Sequence, residues 1–222
     1  MDVVSAVEPA RPAKQRSHHH EELMSIHHFA IATKDFDRAH RFYTEAMGFQ
    51  LIAGVKRQAI GGSGTGWTKH MFYDCGNGST LAIWDLHLNG LQDGDWKTGY
   101  STGLGLPWYI VHVAFGLETL EELEKKRQSL LNHGVAVSLV EHEFITSIYM
   151  NDPDGNMVEF TVQTRPLTDT DRDQAMLILA DDTPAQLPEY SGMVSYPDGR
   201  IVFTGPEAEE FRRRFEAGEL AF

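Results

Sequence analysis

A single cysteine, Cys75, stands in 222 residues. No disulfide can form within the chain, so an apolar core has to hold the fold. Such cysteine usage fits a reducing compartment, and the cytoplasm is the expected location. No apolar run approaches the roughly 18 residues of a membrane span, and the N-terminus has no apolar segment of the kind that opens a secretory signal. Basic residues are scarce, 19 against 32 acidic ones, for a formal charge of −13. That field disfavours nucleic acid and anionic membranes, and neither is expected as a partner. Against these absences, 41% hydrophobic and 23% charged residues are ordinary for a globular protein. The length suits one domain, or two small modules sharing a core.

The chain contains an internal repeat. HHFAIATKDFDRAHRFYTEAMGFQLI carries His28, and VHVAFGLETLEELEKKRQSLLNHGVAVSLV carries His112. From His28 to the helix-ending Gly48 is 20 residues, and from His112 to Gly134 is 22. In each copy an alternating strand leads into an amphipathic helix, a glycine and a further apolar strand. Phe36, Ala39, Phe42, Tyr43 and Met47 share one helical face, with Asp35 as N-cap and Gly48 as stop. Leu120, Leu123, Leu130 and Leu131 form the corresponding face of the second helix. The runs HMFYDCG and STLAIWDL follow the first helix, and TSIYMND and NMVEFTVQ the second, with turns at GNGS and DPDG. The expected class is α+β, built of two paired βαβββ modules.

Strand parity selects candidate metal ligands. Successive strand side chains point to opposite faces. His28, Ala30 and Ala32 share one face, as do His112, Ala114 and Gly116, while bulky apolar residues take the other. In the last strand Glu159 opposes Val158 and Phe160. A polar residue flanked mostly by small ones reads as a cavity wall. Two imidazoles and a carboxylate can hold a divalent metal on one side and leave the other open to substrate, which nominates His28, His112 and Glu159. Parity puts His27 on the Phe29 face, so His28 is the better ligand. Trp84 and His70 are both candidates to line the cup of the first module; core packing is favoured for Trp84, and His70 stays undecided.

Residues 25–163 resemble the vicinal oxygen chelate superfamily, which includes glyoxalase I, fosfomycin-resistance enzymes, bleomycin-binding proteins and extradiol ring-cleaving dioxygenases. The resemblance implies that the modules curl into a cup-shaped mixed sheet around a metal. VEHEFITSIYMNDPDGNMVE is similar to the extradiol dioxygenase motif, through His142, Ile148, Tyr149, Asp152, Pro153, Gly155 and Glu159. By that resemblance Glu159 is an iron ligand, and His142 and Tyr149 are catalytic residues beside it. The implied cofactor is Fe(II), with Mn(II) or another divalent metal as the alternative. The implied reaction is ring cleavage of a catechol or hydroquinone-like aromatic with O2, by a homodimer. The chain departs from the pattern in having two modules where many extradiol enzymes have four, and in its long connection between His28 and His112. The position matching Glu159 in the first module is Ala82 or its neighbour, which argues against the four-ligand site of glyoxalase I. Rival functions on the same frame are an oxygen-independent isomerase, lyase or thiol transferase, and a non-catalytic small-molecule binder.

The expected organisation is a flexible tail over 1–24 with a His18–His20 run, a first module over 25–85, and a connecting loop over 86–107. A second module follows over 108–164, and an extension over 165–222. That extension reads as a helix near 169–180, a hairpin around Pro197–Arg200 and a helix near 206–217, forming a cap or an oligomer contact.

Overall fold

The computed structural model describes residues 25–59, 65–91 and 94–220. The expected tail and its histidine run lie outside the described residues.

In the first module, β1 (His28–Thr33) leads into α1 (Phe36–Arg41). Asp35 caps this helix by accepting from the Arg38 amide at 3.0 Å. The helix then widens into a π-helical turn over Phe42–Ala46, and Gly48 ends it at φ +75°, a conformation that suits glycine. Three strands follow, β2 (Gln50–Gln58), β3 (Gly66–Asp74) and β4 (Thr80–Leu88). They assemble in the order β1-β4-β3-β2, with β1 parallel to β4 and the other pairs antiparallel.

The second module repeats the plan. β5 (His112–Leu117) leads into α3 (Leu120–Asn132), then β6 (Val137–Glu141), β7 (Ile145–Asn151) and β8 (Met157–Gln163). Thr119 and Glu122 form a reciprocal capping box at the start of α3. β5 again runs parallel to β8. The connection between modules carries a short helix, α2 (Tyr100–Gly103).

The extension begins with α4 (Asp169–Leu179). The hairpin of β9 (Gly192–Ser195) and β10 (Ile201–Thr204) does not stand apart as a cap. It joins the second sheet through β6, giving the order β10-β9-β6-β7-β8-β5, and α5 (Ala208–Glu216) follows.

The core explains how the two modules meet. Ala39, Tyr43 and Met47 of the first helical segment are buried, as are Ile31, Tyr73 and Ile83 beneath it. From the same segment, Phe49 packs against Phe115 and Phe160, with ring centroids 4.9 and 6.5 Å away. Lys126 of α3 donates to the Met47 carbonyl at 2.8 Å. The Tyr43 hydroxyl donates to Asp152 at 2.8 Å. The modules are therefore joined through their helix-covered faces. The other face of each sheet is left more open: His28 and Ala30 in β1, and His112, Ala114 and Gly116 in β5, are exposed.

Candidate metal and catalytic site

The second module assembles the denser half of the site. Ala114 pairs with Glu159 in the parallel register of β5 and β8, so Glu159 shares the His112 face. Its carboxylate is only 3% exposed, and His112 Nε2 lies 3.2 Å from it. The other His112 nitrogen, Nδ1, lies 3.2 Å from the Tyr109 carbonyl, which fixes the ring. A nearly buried carboxylate calls for a cationic or hydrogen-bonding partner. The His112 imidazole supplies such a partner.

His142 and Tyr149 sit alongside. Tyr149 pairs with Glu159 across β7 and β8, and its ring lies 6.3 Å from that of His112. His142 Nε2 is 2.8 Å from the Tyr149 hydroxyl. Burial pushes the Tyr149 phenol up to about 12. Burial lowers the His142 imidazole below its ordinary value, with Glu159 and Glu143 pulling the other way. The tight turn after β7 is built by Asp152, whose Oδ1 accepts from the Asp154 and Asn156 amides at 2.9 and 2.8 Å, and by Gly155 at φ +81°.

His28 stands on the equivalent face of the first module. Its ring neighbours are His27, His70 and Phe72, all from its own module. Among the described residues no three His, Cys, Asp or Glu side chains gather into a metal cluster. One chain thus brings His112 and Glu159 together but does not bring His28 to them, because the modules meet through their opposite faces. The donors fit a divalent cation in chemistry, and two of the three fit in position. The register also places the residue matching Glu159: Ala82 opposes Ala30 as Glu159 opposes Ala114, and Ala82 has no ligating group.

Two residues take clearer roles here than in the sequence. Trp84 pairs with Ala32 and so lies on the His28 face, not on the core face expected of it. His70 stacks on Trp84 with ring centroids 3.7 Å apart and planes 9° apart. Its Nε2 is buried without a hydrogen-bond partner, and burial, then His28, lowers its pKa. His70 is therefore a polar group held on the His28 face. Its position in the alternation of β3, sharing a face with Phe72, was the available signal. Beside β1 an open cavity of about 870 Å³ is lined by Ala30, Ala32, Leu86, Trp96, Tyr100 and Val111. Its size is that of a small-molecule site, and none of His28, His112, His142, Tyr149 and Glu159 lines it.

The model of the Glyoxalase/Bleomycin resistance protein/Dioxygenase superfamily matches residues 25–160. The chain belongs to that superfamily. No curated protein matches. Solved structures that are similar include a glyoxylase/bleomycin resistance protein/dioxygenase domain from Frankia sp. EAN1pec, at 20% identity and a TM-score of 0.47 over 64% of this chain and 99% of that one. Lactoylglutathione lyase from Agrobacterium tumefaciens gives 18%, 0.40, 64% and 96%. TnmS3, an antibiotic binding protein from Streptomyces sp. CB03234, gives 18%, 0.42, 65% and 99%. At these identities the activities of those proteins do not transfer to this chain. No helix among the described residues is long and apolar enough to cross a membrane.

Proposed function

We propose that this protein is a metal-dependent, extradiol-type dioxygenase that cleaves the ring of a catechol or hydroquinone-like aromatic, with His28, His112 and Glu159 as metal ligands. The observation that carries the reading is the continuous line from His142 through Tyr149 to the His112–Glu159 pair, with contacts of 2.8 and 3.2 Å at its two ends. A binding protein has no need of a proton-carrying histidine held against a phenol beside a candidate ligand pair. Because the faces bearing His28 and the His112–Glu159 pair both lie opposite the inter-module contact, we assign the third ligand to a second copy of the chain, in a homodimer. Mixing His28→Ala chains with His112→Ala chains tests this assignment. Neither variant alone should hold metal, and the mixture should recover part of it.

Bound Fe(II), or Mn(II), would supply the cationic centre and open coordination positions that a catecholate and O2 require. The chain's own groups do the rest. His142, whose imidazole titrates below its ordinary value, takes the proton of a substrate hydroxyl at Nε2 and returns it to the product. Tyr149, whose hydroxyl meets Nε2 at 2.8 Å, relays that proton between the substrate oxygen and His142 and ends each transfer protonated.

Oxygen uptake by protein loaded with Fe(II) without air, against substituted catechols and hydroquinones, tests the reaction. Uptake with a coloured ring-opened product is expected. Metal-loaded protein that consumes no oxygen across a broad panel would instead favour an oxygen-independent isomerase, lyase or thiol transferase on the same residues. Metal lost on simple dialysis would favour a binder.

A further inference from the structure

We propose that Tyr190, thirty residues beyond the family-matched region, is a positioning residue that clamps His142 against Tyr149. The functional meaning of this clamp rests on the dioxygenase reading above, whereas the clamp itself rests on geometry alone.

The imidazole of His142 is held from two sides. Tyr149 meets its Nε2, and the Tyr190 ring approaches edge-on with centroids 4.4 Å apart and planes 74° apart. Tyr190 is itself anchored. Its hydroxyl lies 2.9 and 3.0 Å from the two carboxylate oxygens of Glu143, the residue after His142. A tyrosine that is 53% exposed would ordinarily sample several rotamers, and this tether selects one.

The backbone is built to deliver that ring. Gly192, which opens β9, crosses β6 so closely that a Cβ there would lie 2.3 Å from the Leu139 carbonyl oxygen. Gly205, at φ +87°, approaches from the other side, where a Cβ would lie 2.4 Å from the Tyr190 carbonyl oxygen. The Glu207 amide donates to Ser191 Oγ at 2.8 Å. Two glycine approaches and a side-chain tether thus bracket Tyr190 within a few residues. The β9 strand pairs Gly192 with Val140, two residues before His142. Adding that strand to the sheet is what places residue 190 beside residue 142. The edge-on arrangement is the one aromatic rings prefer, so the contact favours one orientation of the imidazole.

The test uses the full chain, labelled with 15N, and reads the ring nitrogens of His142 by long-range proton–nitrogen correlation. His142→Gln identifies its signals by their loss. A single-tautomer pattern is expected in the wild type. Tyr190→Ala should move it toward the averaged pattern of a free histidine, with the remaining histidine signals and the metal content unchanged. Tyr190→Phe, which keeps the ring and loses the tether, should give a pattern between the two, and one identical to the wild type would remove the tether from the clamp. Ring signals in Tyr190→Ala identical to the wild type would overturn the clamp. Separately, a His142→Gln enzyme that turns over 4-methylcatechol at the wild-type rate would overturn the catalytic reading of His142 and leave the clamp to be judged by its spectra.

Discussion

Replacing Tyr43 by phenylalanine probes the junction of the two modules with one atom. The Tyr43 side chain is 1% exposed, and its hydroxyl donates to Asp152, itself 5% exposed, at 2.8 Å. Burial holds the Tyr43 phenol well above its ordinary value, so it stays a donor at all accessible pH. A hydrogen bond to a charged group contributes about 1.5–3 kcal/mol. Asp152 keeps its bonds from the Asp154 and Asn156 amides and from Asn156 Nδ2, so the loss belongs at the lower end, about 2 kcal/mol. For a chain of this size that is a fall in Tm of roughly 4–8 °C.

The pH dependence gives a second, independent handle. Burial raises the folded pKa of Asp152 above its ordinary value, so the net contribution of this group is present at acid pH and lost as pH rises through the folded value. The Tyr43 bond acts in the opposite sense, because it favours the ionised carboxylate. Its contribution is present where Asp152 is ionised and fades as pH falls through the folded value. The cost of Tyr43→Phe should therefore be largest at neutral pH and shrink on acidification. Urea denaturation of wild type and variant at fixed protein concentration, at neutral and acid pH, measures both. A cost below about 0.5 kcal/mol at neutral pH, or one that grows with acidity, would refute the reasoning, since either implies that the hydroxyl does not meet a buried carboxylate.

Three further outcomes are expected. His112→Ala and Glu159→Ala should each lose bound metal while circular dichroism stays near wild type, and stoichiometric metal in both would remove these residues from the site. His142→Ala should keep its metal and slow turnover by roughly 10²- to 10⁴-fold, the usual reach of a general acid or base; an unchanged rate would exclude it from the chemistry. Gly192→Ala forces a Cβ against the Leu139 carbonyl oxygen, so β9 should separate from β6, seen as faster proteolysis between residues 180 and 192. Protection equal to wild type would show that the strands can part slightly without cost.

Local pattern carried a good deal of this. Alternation alone put His28, Ala30 and Ala32 on one face and Ile31 on the other, and the structure has Ile31 buried with His28 and Ala30 exposed. Matching repeat positions placed Ala82 opposite the role of Glu159, and the strand registers agree. Asp35, Gly48 and Gly134 were readable as helix ends because caps and positive φ are properties of a few adjacent residues. What escaped was pairing at long range. Tyr43 meets Asp152 across 109 positions, and nothing in either neighbourhood announces the other. The same applies to Tyr190 and His142. Core packing was favoured for Trp84 over a place in the cup because a large aromatic in an apolar run reads as core, and only the β1–β4 register shows which face it takes. The way the modules dock is likewise silent in sequence periodicity, which says that a face is apolar but not which apolar face it meets.

The β9–β10 hairpin has a consequence for the rest of the sheet. β6 carries the buried Val137 and Leu139 and bonds to β7 on one side and β9 on the other. Without the hairpin it would present an open row of amides and carbonyls flanked by apolar side chains, the arrangement that recruits strands from other molecules. The hairpin moves that edge outward to the four-residue β10, which begins just after Arg200 and is too short to template much. The extension beyond the matched region thus guards against self-association through β6. A chain ending at Gln163 should scatter light at concentrations where the full chain stays clear.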